Sequence, residues 1–290
     1  MIRFALIVAS TLGFFLTAAL GNLMTPLLRA FHDRQQPQKE AEPPTMGGLC
    51  LMTGTMAAVG VGWTAACVAQ PELLGSENLL TTRLLIALFG ALCFGGVGLA
   101  DDLARLQHRS PLGLRRPVRL GLEAASGALV LALLGLNDCL PDGLAVPGLG
   151  YCTLGPLAPA VWLVLLVALA ESVRTADGMD GTVCGCAFIA MLGLMTAMTL
   201  LGWFPLGVLP AALAGALMAF LLWNFYPAKL RPGAVGCQFL AGALGCVPLS
   251  IGWPAWWRCR SSYGRPPAGC GSCLALRRST AGSRSGALTR

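Results

Sequence analysis

The sequence predicts an all-α fold, a polytopic transmembrane helix bundle of about eight spans. Three observations lead there. The chain is 56% hydrophobic and 11% charged, with a mean hydropathy of +0.70. It contains apolar runs of the ~17–25 residues that cross the hydrocarbon of a bilayer. Its basic residues gather in one set of alternate loops, the pattern that orients membrane proteins. Length alone, 290 residues, would suggest about two soluble domains, but this composition excludes that organisation.

The runs fall at 4–28, 47–69, 84–100, 120–136, 157–173, 182–201, 204–222 and 237–257. The first follows a single Arg3 and is too long for a signal-peptide core, so it is expected to remain as an uncleaved helix. All are hydrophobic around the whole helix, as spans are, and their glycines and alanines permit close helix packing. The connector Asn137–Gly155 is rich in Gly and Pro and reads as a turn-rich loop or short hairpin. No internal repeat and no separable soluble domain is visible.

Charge sets the orientation. Arg29, Arg34 and Lys39, then Arg105, Arg109, Arg115, Arg116 and Arg119, then Arg174, then Lys229 and Arg231 lie on one side. Only Arg3 and Arg83 lie on the other before the tail. The loops at 29–46, 101–119, 174–181 and 223–236 are therefore expected to be cytoplasmic, with the N-terminus outside. The net charge of +7 reads in this context as loops facing anionic lipid, and no nucleic-acid partner is expected.

Twelve cysteines do not make a disulfide framework. Cys50, Cys67, Cys93 and Cys246 sit singly in apolar runs, where a thiol acts as a small hydrophobe. Cys259, Cys270 and Cys273 have no histidine beside them, and a structural zinc site usually needs four ligands. Residues 1–257 thus read as one integral membrane domain. Residues 258–290 read as a Gly/Ser/Arg-rich tail with seven arginines and no acid. This tail is expected to be unstructured, such as a shifted reading frame would create.

The chemistry is expected where acids meet the ends of the spans. Asp177-Gly178-Met179-Asp180-Gly181 separates two apolar runs, and Asp101-Asp102 ends an earlier one. Ionisable groups near membrane depth are costly and mark substrate or ion sites, although each stretch taken alone also reads as a solvated turn. On the same face lie Pro44-Thr45-Met46-Gly47-Gly48 and the run from Pro227 to Gly236, which contains Lys229 and Arg231. Clustered carboxylates beside basic loops suit magnesium and a phosphorylated substrate. The ion takes a few carboxylate oxygens plus phosphate and water, arginines match phosphate charge, and glycines admit backbone N–H groups to phosphate oxygens.

Taken together and in this order, these motifs resemble the polyprenyl-phosphate N-acetylhexosamine-1-phosphate transferases. The Pro-Thr-Met-Gly-Gly run is most similar to the phospho-N-acetylmuramoyl-pentapeptide transferase branch of peptidoglycan synthesis. The resemblance covers about residues 25 to 250 and implies about ten spans, more than this chain carries. It implies a reaction in the bacterial inner membrane, on the cytoplasmic face. There undecaprenyl phosphate attacks the β-phosphate of UDP-N-acetylmuramoyl-pentapeptide, giving lipid I and UMP with Mg²⁺. By the resemblance Asp101, Asp102 and Asp180 are catalytic, and Asp101 and Asp102 help to hold the metal. Thr45, Arg105, Arg119, Asp177 and Lys229 bind substrate. The expected partners are undecaprenyl phosphate, a UDP-linked amino sugar, membrane lipid and a second copy of the chain as a homodimer.

The departures from the family pattern are specific. Ala234 stands at the family's magnesium-binding aspartate, and Arg231 at an aromatic that can stack on uracil. Cys237 takes the place of a serine. Glu171 and Arg174 stand where the family has asparagines, and Glu40 at a lysine. Arg105 and Arg119 replace phosphate-contacting lysines. The family's histidine-rich loop has no counterpart, since the only histidines are His32 and His108. Three other functions therefore stay open. They are a sister enzyme using another UDP-sugar, a catalytically impaired relative that binds polyprenyl phosphate, and an ion-coupled transporter. The transporter is disfavoured because the acids lie on one face and not at the midplane.

Overall fold

The computed structural model describes residues 2–35, 44–69, 79–108, 113–137, 139–141, 143–146 and 150–251. The sequence expectations for the tail at 258–290, for Lys39 and Glu40 and for Arg109 lie outside these residues. Among the described residues there are eight helices long and apolar enough to cross a membrane. They are α1 (Ile2–Gln35), α2 (Gly48–Ala69), α3 (Leu79–His108), α4 (Arg116–Leu136), α5 (Ala158–Ala176), α6 (Thr182–Leu201), α7 (Phe204–Asn224) and α8 (Gly233–Ile251). This is the polytopic all-α bundle that the hydropathy pattern predicts.

The helices belong to one compact unit, Met1–Leu140 with Pro159–Ile251, and the segment Pro141–Ala158 belongs to a second. That segment holds the hairpin. Strands β1 (Gly143–Val146) and β2 (Gly150–Thr153) pair antiparallel, with Gly143 opposite Thr153 and Val146 opposite Gly150.

Helix ends follow local chemistry. Pro117 sits in the first turn of α4, where its missing N–H costs nothing. Gly181 and Gly202 flank α6 in the left-handed region, and the Gly202 N–H returns to the carbonyls of Met198 and Thr199. α7 and α8 are the inner helices, each about 83% buried over its span, whereas α5 is 17% buried. α3 packs mainly on α8, and α1 on α7 and α2. The α1–α7 contact is backbone to backbone. A Cβ on Gly13 would overlap the Ala212 carbonyl, and one on Gly215 the Ser10 carbonyl. Without a hydrophobic drive between helices in lipid, such close van der Waals contact is what holds spans together.

Two details differ from the sequence expectation. α3 runs from Leu79 to His108, beyond the predicted run at both ends. Asp101 and Asp102 are thus within a helix and fully buried instead of beginning a loop. Arg105, one turn on, bonds Asp101 at 2.8 Å, so neither the acid nor the helix has to end in water. Arg83 is likewise no loop residue. It is buried in α3, donates to Cys139 Sγ and to the Ile251 carbonyl, both at 3.3 Å, and lies 5.8 Å from the Trp203 ring centroid. A cation at the C-terminus of α8 is favoured by the helix dipole.

Candidate functional site

The site is assembled from the loops that join α1 to α2, α3 to α4, α5 to α6 and α7 to α8. Its floor is a backbone ladder. The Arg231 N–H donates to the Pro44 carbonyl at 3.1 Å, the Gly47 N–H to Arg231 at 2.9 Å and the Gly48 N–H to Pro232 at 2.8 Å. Met46 has φ +78, an uncommon state for a side chain of its size. Gly233 opens α8 at φ +68, and a Cβ there would lie 2.8 Å from Met46 N and 3.0 Å from Asp102 Oδ2. Only glycine brings the start of α8 this close to the acid. Thr45 is exposed on the loop above this ladder.

The acidic pair divides its work. Asp101 accepts from Arg105 Nη2 at 2.8 Å and from the Leu114 N–H at 2.7 Å, and Arg174 Nη2 lies 3.6 Å away. Both of its oxygens are engaged. Asp102 faces the N-terminus of α8. Its Oδ2 accepts the Val235 N–H at 3.0 Å, and the Ala234 N–H faces the same carboxylate. Asp102 therefore caps α8 from another helix. Its Oδ1 is buried without a hydrogen-bond partner, with Arg105 Nη1 at 3.9 Å.

The α5–α6 turn brings the second pair of acids. Asp180 accepts from Arg231 Nη2 at 2.9 Å and from the Ala228 N–H at 3.3 Å. Burial pushes the Asp177 carboxyl up to about 6, against the opposing pull of the Cys237 thiol beside it and of Arg231. Lys229 is exposed on the adjoining loop, with its N–H on the Trp223 carbonyl at 2.7 Å.

Arg119 belongs to a separate, deeper cluster. It bonds Glu171 with Nε at 3.1 Å and Nη2 at 2.9 Å, and its Nε lies 3.6 Å from Glu123 Oε1. Gln238 of α8 donates to Glu123. The expected phosphate contact of Arg119 is thus held by a carboxylate from α5. Beside the cluster is an apolar cavity of about 360 Å³, lined by Ala124, Leu163, Val164, Val167, Ala168 and Glu171.

Of the residues singled out from the sequence, Asp101, Asp102 and Arg105 contact one another directly. Asp180 is held by Arg231, which also carries the ladder to the Thr45 loop, and Asp177 lies within charge range of Arg231, Asp102 and Arg105. Arg119 communicates only through α5, where Glu171 binds it and Arg174 reaches Asp101. Glu123 and Gln238 escaped the sequence reading. The signal for Glu123 was its i,i+4 spacing from Arg119 in an otherwise apolar run; Gln238 gave none beyond being an amide in a span.

For magnesium the donor set is sparse. Among the described residues no three His, Cys, Asp or Glu side chains are grouped to hold a metal. The bare Asp102 Oδ1 is the oxygen of the acidic pair left open to a cation. That fits the coordination in which substrate phosphates and water supply most ligands and the protein one or two carboxylates.

Comparison with known proteins separates what the fold shares from what this chain changes. The family model of glycosyl transferase family 4 matches residues 84–252, which hold α3 to α8 and every acid of the site. The chain belongs to glycosyl transferase family 4. A phospho-N-acetylmuramoyl-pentapeptide-transferase of Acaryochloris marina is 32% identical over 243 residues, 84% of this chain. The chain spans 62% of that relative's length. A protein of the same name from Clostridium botulinum is 30% identical over 263 residues, covering 85% of this chain and 74% of the relative. One from Levilactobacillus brevis is 29% identical over 251 residues, 82% of this chain and 73% of the relative. The acids of the site and Arg105, Arg119, Arg174 and Arg231 fall within the matched region.

Proposed function

We propose that this family member binds undecaprenyl phosphate and a UDP-linked amino sugar on the cytoplasmic face of the bacterial inner membrane. Its reaction is that of a phospho-N-acetylmuramoyl-pentapeptide transferase. A lipid phosphate oxygen bonds the β-phosphorus of UDP-N-acetylmuramoyl-pentapeptide. The pyrophosphate bond breaks, its electron pair leaves with UMP, and lipid I is the product. The observation that carries this reading is Asp102, a buried carboxylate with one bare oxygen at the N-terminus of α8, beside Arg105. A phosphate there would find a guanidinium and an acid in one place.

Each residue has a limited role. Arg105 and Arg231, part-exposed at 29% and 37%, can turn from Asp101 and Asp180 toward phosphate oxygens. Asp101, with both oxygens engaged, orients Arg105 and Arg174 and does not act as a base in this arrangement. Asp177, its carboxyl raised to about 6 and mostly ionised at neutral pH, can accept from a nucleoside. The apolar cavity beside Glu171 suits the first isoprene units of a lipid. Magnesium held by Asp102 and substrate phosphates would neutralise charge on the diphosphate.

A second reading, lipid-phosphate binding with impaired turnover, is favoured by Ala234, which offers no carboxylate where the family pattern has its metal ligand. One assay separates the readings. Purified protein is given undecaprenyl phosphate and each UDP-sugar, and UMP release is followed with and without Mg²⁺. Slow, Mg²⁺-dependent release with the muramoyl-pentapeptide substrate supports the transferase. Release with another UDP-sugar points to a sister enzyme. Lipid-phosphate binding without any release supports the second reading.

A further inference from the structure

The cluster around Arg119 holds more acid than its cations match. Arg119 gives three hydrogen bonds to Glu171, at 2.9, 3.1 and 3.2 Å. Glu123 lies 3.6 Å from the same guanidinium, beyond hydrogen-bond distance. Arg174, the other guanidinium in reach of α5, turns to Asp101. Glu123 and Gln238 are 0% and 1% exposed, within helices that cross the membrane. Gln238 Nε2 donates to Glu123 Oε1, yet Glu123 Oε2 and Gln238 Oε1 are both buried with no partner.

Two bare acceptors on two groups already joined by a hydrogen bond lack one thing, a hydrogen between them. An ionised Glu123 would leave both unsatisfied and share a single guanidinium with Glu171, which low-dielectric surroundings penalise. We propose that Glu123 and Gln238 form a proton-binding site. Glu123 is carried as the neutral acid at neutral pH, and its Oε2–H donates to Gln238 Oε1 while Gln238 Nε2–H donates to Glu123 Oε1. The acid–amide pair then satisfies all four polar atoms and leaves Arg119 matched one-to-one with Glu171.

The charged groups nearest Glu123 are two acids and one guanidinium, and that guanidinium is already bonded to one of the acids. They are Glu171 on α5, Asp101 on α3 at longer range, and Arg119 on its own helix. Gln238 on α8 is neutral and supplies the matching donor and acceptor. A metal ion such as sodium would need more oxygen donors than these. The pair pegs α4 to α8, the helix whose first turn is capped by Asp102, and it does so independently of any reaction at the site above.

The test uses the full chain in lipid nanodiscs. Infrared difference spectra of the unsubstituted protein against Glu123→Gln at pH 7 should show a protonated-carboxylic-acid C=O band present only in the former. The band should shift in D₂O. Glu123→Gln, which retains two amide–amide bonds to Gln238, should melt within a degree or two of the parent, on the order of neutral substitutions. Absence of the band, or a large fall in melting temperature for Glu123→Gln, would overturn the proposal. So would a rise in melting temperature on exchanging choline for sodium that Glu123→Gln abolishes, because the occupant would then be the metal ion.

Discussion

Replacing Ala234 by aspartate puts a carboxylate in the first turn of α8, at a position 6% exposed, whose backbone N–H already faces Asp102. Two carboxylates about 5 Å apart, at an effective dielectric near 20, repel by about 3 kcal/mol. The N-terminus of α8 returns about 0.3–1 kcal/mol to the new charge. The net cost without a cation is therefore about 2–3 kcal/mol, a fall of about 4–12 °C for a chain of this size. Magnesium binding between the two acids reverses the sign. At a hundredfold excess over Kd, such binding restores about 2.7 kcal/mol. Thermal melts of the detergent-solubilised variant should thus be low in EDTA and recover in Mg²⁺, while the unsubstituted chain changes little. The lipid-transfer rate should rise with the same ion. The unsubstituted chain is expected to be about a thousandfold slower than an intact relative, and every 1.4 kcal/mol recovered in the transition state is tenfold. Equal melting in EDTA and Mg²⁺ would refute the placement of position 234 against Asp102. Full activity in the unsubstituted chain would show that the metal ligand lies elsewhere.

Three other outcomes follow from the geometry. Asp177 carries a carboxyl raised to about 6 by burial, so the folded state binds the extra proton between about pH 4 and 6. Stability is lost as pH rises through that window. Asp177→Asn should accordingly gain on the parent by on the order of 2–3 kcal/mol at pH 7.5 and by little near pH 4; a gain equal at both pH values would sink the assignment. A double-mutant cycle between Arg119 and Glu171 should give a coupling of about 1–3 kcal/mol, below that of a fully buried pair because Glu171 is 24% exposed. No coupling in thermal or denaturant unfolding would mean that the bidentate pair does not hold α5 to α4. Single-cysteine labelling at Arg115, in a background without other reactive cysteines, should occur only from the cytoplasmic side, and labelling from outside alone would invert the orientation.

The spans were legible because a run of apolar residues that long has no other stable destination. Their ends were less so, and α3 shows why. Reading Asp101-Asp102 as the end of a span assumes that carboxylates seek water. These two are served by Arg105, Arg174, the Leu114 N–H and the first turn of α8, and only the first of those partners is close in sequence. Arg231 read as the loss of an aromatic, but in the structure it is the hydrogen-bonded partner of Asp180, 51 residues away. Gln238 and Glu123 are 115 residues apart, and nothing local to either predicts the other. The acids and motif loops of the site were visible as residue types in order. Which charge would be spent on which partner was not, because it is set by contacts between helices.

Three residues that depart from the family pattern each bring a charge, and each charge has a definite destination. Arg174 approaches Asp101 at 3.6 Å, Glu171 holds Arg119 at 2.9 Å and Arg231 holds Asp180 at 2.9 Å. In every case the partner is a residue that the family pattern assigns to catalysis or phosphate binding. The site is therefore internally neutralised in the absence of substrate. An incoming phosphate must exchange with a carboxylate already on the guanidinium, and such an exchange of one charge-assisted bond for another is close to even in free energy. Binding can survive on those terms, since the arginines remain present and Arg105 and Arg231 are part-exposed. Chemistry asks for more: stabilisation that exists only as charge moves onto the departing UMP. A guanidinium shared with a carboxylate, and a helix start capped by Asp102 with alanine beside it, supply less of it than unpaired groups would. Ala234 and the three added charges thus act in one direction, and restoring the aspartate alone leaves Arg231 and Arg174 still paired with Asp180 and Asp101.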